Sequence, residues 1–137
     1  MYWIGAVVLV VASQALPAHF AQDNRAAAYA AVDAFRHQQD AGAFEAIRDG
    51  GTPALREESA TSFVERMRAH QAQMGPFVSA VRDYYGARED SKGTTITILY
   101  KAQYRNGRAI ERFDFHPVNG KMALEAFTVM KAQRSGT

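Results

Sequence analysis

From Asn24 onward the apolar positions keep one period and then change to another. Ala28, Tyr29, Val32, Phe35 and Arg36 recur at i, i+3, i+4 and i+7, which predicts a helix capped by Asp23 or Asn24 and ending near Asp40-Ala41-Gly42. Phe44 and Ile47 make one short amphipathic turn, which Gly50, Gly51 and Pro53 are expected to stop. A second main helix opens at Ser62, where Ser62 and Glu65 have the spacing of a capping box, the hydroxyl accepting from the amide three residues on and the glutamate accepting in return. Phe63, Met67 and Met74 form its inner stripe, and Gly75 then Pro76 end it.

From Phe77 the period is two. "FVSAVRDYY" reads as a strand, "REDSKG" as a polar turn, and "TTITILYKAQY" as a second strand rich in residues that suit a pleated surface. Asn106-Gly107 and Asn119-Gly120 each favour a two-residue hairpin turn with positive φ at both central positions, so the chain continues as a meander. The fold class is therefore α+β: N-terminal helices packed on a curved antiparallel four-stranded sheet.

Such turns also fix cross-strand register. Arg105 opposite Arg108 sets Tyr100 against Phe113, Ala102 against Glu111 and Tyr104 against Ala109. Val118 opposite Lys121 sets Phe115 against Leu124, Phe113 against Ala126, Glu111 against Thr128 and Ala109 against Met130. Both hairpins send their apolar residues to one face, and a slip of one residue in either would break that agreement. Glu111 and Thr128 are the polar interruptions. The opposite face carries Thr97, Lys101, Arg112, Asp114, His116 and Glu125, with Leu99, Ile110, Phe127 and Val129 among them. Lys101 lies diagonal to Asp114, and Arg112 to Glu125, which reads as a solvated face; the mixed-in apolar residues leave a dimer contact open.

With 137 residues, 47% of them hydrophobic, the chain suffices for one domain with a real core. Its 16 basic and 14 acidic residues are interspersed without a basic tract, which argues against a nucleic-acid groove. No cysteine is present, so disulfides, thiolate metal sites and a cysteine nucleophile are excluded. Residues 1–21 carry no Asp, Glu, Lys or Arg, and their apolar run, Trp3 to Ala12, is shorter than the roughly 20 residues of a membrane span. They read as a signal peptide cut after Ala15, Ala18 or Ala21, as an uncleaved membrane anchor, or as a buried helix; the first two readings put residues 22–137 outside the cytoplasm, in the periplasm.

The stretches "AAVDAFRHQQDAGAF", "SFVERMRAHQAQMGPF", "TITILYKAQYRNGRAIERFDF" and "GKMALEAFTV" resemble exported bacterial proteins of the domain of unknown function 4019 type. Helices laid on a curved antiparallel sheet are also similar to the nuclear transport factor 2-like, or cystatin-like, superfamily. The resemblance implies export and a cone-shaped fold whose concave face closes over a pocket with the helices. It implies no particular activity.

Within such a pocket Glu111 and Thr128 are the polar candidates, with Tyr100, Tyr104 and Phe113 as aromatic walls. Buried, Glu111 would have a raised pKa and serve as base or ligand anchor. An unpaired buried carboxylate costs several kcal/mol, and no partner for it stands out, so the expectation is a Glu111 wetted at the open end of the hairpin. His37 and Asp40 are three apart on the first helix, a spacing too common to assign a metal. His70 is read as lying off the stripe of the second helix, on the surface, and His116 on the mixed sheet face. HExxH, GxxxxGK, GxSxG and a GxGxxG after a strand are all lacking, so no catalytic residue, metal or cofactor is assigned. The reading is a non-enzymatic binding or protein-interaction module of the cell envelope, with a homodimer or envelope protein as partner. Its alternative is a pocket for a small apolar ligand, with isomerase or dehydratase chemistry as the extreme case.

Overall fold

The computed structural model describes residues 24–57 and 62–135; the expectations for residues 1–21 and for an Asp23 cap lie outside them. Helix α1 occupies residues 24–40. Helices α2 (Phe44–Asp49), α3 (Pro53–Glu57) and α4 (Ser62–Met74) follow, then strands β1 (Phe77–Asp90), β2 (Gly93–Tyr104), β3 (Gly107–Val118) and β4 (Lys121–Arg134). The strands form one open antiparallel sheet in the order β1-β2-β3-β4 with the helices packed on one face, an α+β architecture. Among the described residues no helix is long and apolar enough to cross a membrane.

The helical stripes and the inner sheet face meet as the pattern requires. Val32 and Phe35 of α1 and Phe63 and Met67 of α4 are buried with Ile96, Ile98, Phe113 and Phe115 of the sheet. Phe35 stands edge-on to Phe113 at 4.9 Å and tilted against Phe127 at 4.8 Å. Each such side chain, fully buried, contributes about 1.5–3 kcal/mol, so this layer dominates the stability. Gly75, at φ +74, ends α4 by donating its N–H to Gln71 O at 2.8 Å.

Pro53 does not stop the helical segment. Thr52 Oγ1 accepts from the Leu55 N–H at 3.3 Å, so Thr52 caps α3 and Pro53 takes its first turn, where a missing N–H costs nothing. The adjacent Gly51 leaves room for β4, because a Cβ there would lie 2.7 Å from Leu124 O. Strand β1 also runs past "FVSAVRDYY" to Asp90, and the turn shrinks to Ser91 and Lys92 between the paired Asp90 and Gly93.

The two Asn-Gly hairpins differ. Asn119 (φ 52) and Gly120 (φ 79) form the expected turn, with Val118 opposite Lys121. At the other hairpin the loop is Arg105-Asn106, and Tyr104 faces Gly107. The helix end takes over that turn: the Arg105 N–H donates to Pro76 O and the Asn106 N–H to Met74 O, both at 2.9 Å. Gly107 serves close approach instead, since a Cβ there would meet Gln133 O at 2.1 Å. Cross-strand partners move by two, so Tyr100 pairs with Glu111 and Ala102 with Ala109, and every side chain keeps its face.

Strand β4 departs further. Register shifts between Asp114 and Phe115, and between Ile110 and Glu111, leave Glu125 and Met130 as extra residues, and each bulge turns the strand over. Phe127 therefore lies opposite Phe113 and Val129 opposite Glu111, while Ala126 and Thr128 pair with Asp114 and Arg112. Phe127 is buried and Met130 is 55% exposed, the reverse of the unbulged register. On the outer face Arg112 Nε donates to both oxygens of Asp114, and Lys101 approaches Asp83 at 3.8 Å, in place of the two diagonal pairs expected.

Candidate functional site

Glu111 is fully buried, not wet. Its counter-charge comes from α1: Arg36 Nη2 donates to Oε1 at 2.6 Å. The Tyr104 hydroxyl donates to Oε2 and accepts from Gln39 Nε2 at 2.9 Å, while Arg36 Nη1 reaches Gln39 Oε1 at 3.2 Å. The guanidinium also lies over the Phe77 ring, 4.1 Å from its centroid. A buried carboxylate with a charged partner and a second donor meets the desolvation cost that made burial look unfavourable.

Electrostatics follow from this geometry. Burial pushes the Glu111 carboxyl up, but neighbouring His70, Arg36 and the Tyr104 hydroxyl outweigh it, and the group sits below its ordinary value of 4.5 rather than above it. His70 acts from a distance, its Nε2 standing 3.7 Å from Oε2, beyond ordinary hydrogen-bond length. Tyr104 moves the opposite way: burial first, and then the Glu111 anion, hold its proton well above the ordinary value of 10.0. With both oxygens engaged and the carboxyl ionised, Glu111 works as an anchor for Arg36 and Tyr104 rather than as a free base.

His70 borders this network. It falls seven residues after Phe63 and three after Met67, on the inward stripe of α4 and not off it. Its side chain is 10% exposed, its ring stands edge-on to Tyr104 at 4.9 Å, and its Nε2 is enclosed without a hydrogen-bond partner among the described residues. On its other side lies a cleft of about 680 Å³ between α4 and β4, walled mainly by Phe63, Met67, Phe127 and Val129, with His70 as the polar group that also touches the buried network.

The structure brings Glu111 and Tyr104 into direct contact. Tyr100 and Phe113 pack at 5.6 Å in the core with the Arg36 guanidinium close to both rings, so they wall the ion pair rather than the cleft. Thr128 is exposed at the cleft rim and does not face Glu111, because the first bulge turns it outward. His37 and Asp40 are exposed, and the described residues hold no cluster of three or more metal-ligating side chains. Arg36, Gln39 and His70 were not among the site candidates. A signal for Arg36 was present: a guanidinium on the buried stripe of the first helix demands an anion on the facing sheet, and Glu111 is the carboxylate on that face nearest the strand centre. Comparison with known proteins finds no family model and no curated protein that matches the chain.

Proposed function

We propose that this protein is a non-enzymatic binding module whose cleft between α4 and β4 takes a small, largely apolar ligand. The observation that carries the reading is the cleft itself: about 680 Å³, within the usual range for small-molecule sites, with Phe63, Met67, Phe127 and Val129 as walls. The engagement of Glu111 by Arg36 and Tyr104 supports binding over turnover, since the acid/base pair of an isomerase needs a free member. The charge-free apolar run from Trp3 to Ala12 supports an envelope location. Kinship with the nuclear transport factor 2-like superfamily, and with the domain of unknown function 4019 type, is part of the same proposal and rests on helices packed on an antiparallel sheet and on the segments quoted above.

The test is fluorescence titration of the full-length chain with N-phenyl-1-naphthylamine, a neutral apolar probe. Saturable binding is expected, weakened at least tenfold in Ala69→Trp, which fills the cleft from an exposed position on α4. No saturation, or equal affinity in Ala69→Trp, would overturn the reading.

A second reading, contact with a protein partner or a second copy through the outer sheet face, is favoured by a groove of about 410 Å³ there, where Val81 and Ile110 lie among Lys101, Arg108 and Lys131. Light scattering of a strictly monomeric protein at high concentration would remove its self-association form.

A further inference from the structure

We infer that the cleft selects an apolar ligand carrying one hydrogen-bond donor, a hydroxyl, which donates to Nδ1 of His70. This deepens the proposal that the cleft binds apolar molecules and rests on it. The argument begins with the ring's two nitrogens. Nε2 faces Oε2 of Glu111 at 3.7 Å and is enclosed without another partner among the described residues. A lone pair aimed at a carboxylate is repelled and an N–H is attracted, even beyond hydrogen-bond length, so the neutral ring carries its proton on Nε2. Carboxylates that stand behind a histidine fix its tautomer and orientation in this way. Here the carboxylate is itself held, by Arg36 at 2.6 Å and by the Tyr104 hydroxyl, so it cannot swing to a different partner.

The proton on Nε2 leaves a lone pair on Nδ1. Because the ring forms part of the cleft wall, and Nε2 but not Nδ1 is enclosed without a partner among the described residues, Nδ1 is the nitrogen open to an occupant. The site therefore offers an acceptor among apolar walls. A ligand hydroxyl satisfies it. A ligand carboxylate does not: it has no proton to give that lone pair and the Glu111 charge stands just behind the ring, while Arg66, the cation among the lining residues, is exposed, where its pull on an anion is screened. An ether of the same shape fills the walls and leaves the acceptor unmet, which costs affinity because a buried polar group is then unpaired.

Three probes of nearly one shape separate these cases: 4-hexylphenol, 4-hexylanisole and 4-hexylbenzoate, titrated into the full-length chain by calorimetry near pH 8. The phenol should bind about three- to tenfold tighter than the anisole, the difference one neutral hydrogen bond makes, and the benzoate weakest. In His70→Phe, which keeps a ring on the stripe of α4, phenol and anisole should bind alike. Equal affinities for phenol and anisole in the unaltered protein, a preference for the benzoate, or discrimination that survives His70→Phe would each overturn the inference while leaving the cleft as an apolar site. Failure of all three probes to bind would instead overturn the cleft reading beneath it, and with it this inference.

Discussion

Replacing Glu111 by Leu exposes the energetic role of the buried pair. Arg36 is 9% exposed and Glu111 fully buried, so Glu111→Leu leaves an enclosed guanidinium with neutral neighbours in place of its anion: Gln39 Oε1, the Tyr104 hydroxyl and the rings of Phe77, Phe113 and Tyr100. A cation–π contact supplies about 0.5–2 kcal/mol, whereas removing one partner of a buried ion pair costs about 3–5 kcal/mol. The net loss should be on the order of 3 kcal/mol, lowering Tm by roughly 10–20 °C in a domain of this size. Removing both charges in Arg36→Met/Glu111→Leu should restore most of that stability, because a buried pair and a packed apolar substitute are often nearly equivalent. Urea denaturation followed by circular dichroism gives both numbers. A single variant within about 1 kcal/mol of the parent, or a double variant no more stable than the single, would refute the pairing, since it would mean that Arg36 reaches water without Glu111.

Further outcomes follow from the same geometry. Tyr104→Phe removes the donor to Glu111 Oε2 and the acceptor for Gln39, and should cost about 1.5–3 kcal/mol in the same denaturation assay. Because Glu111 is held below 4.5, its contribution is present above that pH and is lost as pH falls through the lowered folded value, so denaturation midpoints should drop on acidification and Glu111→Gln should flatten that limb. Tyr104, raised from 10.0, contributes below pH 10 and loses that contribution as pH rises further, so alkaline titration followed at 295 nm should find one phenol that ionises last, and only on unfolding. Gly107→Ala places a methyl group against the β4 backbone at Gln133 and should destabilise by about 1–3 kcal/mol, while Gly120→Ala, with nothing within 4 Å, loses only the cost of a positive φ.

What the sequence disclosed depended on how local each determinant was. The helical stripes, the alternation of β2 and β3 and the Asn119-Gly120 turn are set by residues a few positions apart, and they appear as read. The Arg105-Asn106 loop depends on carbonyls at the end of α4, more than 28 residues upstream, and no local propensity reports them. The bulges at Glu125 and Met130 have no glycine to mark them, and the first decides whether Thr128 or Val129 faces Glu111. The ion pair was half visible. Glu111 stood out as polar on an apolar face and Arg36 stood on an apolar stripe, but joining them needs the packing of α1 across β3, which the two patterns do not specify separately. His70 was legible by arithmetic alone, seven residues from Phe63 on a helix.

Amide shift mapping tests the central claim most directly: the full-length chain, labelled with ¹⁵N, titrated with 4-hexylphenol and read by two-dimensional NMR. Perturbations concentrated between Phe63 and Gln73 on α4 and between Ala126 and Ala132 on β4 are what a cleft ligand produces. Perturbations confined to the outer face around Lys101 and Lys131, or none at saturating ligand, would contradict it.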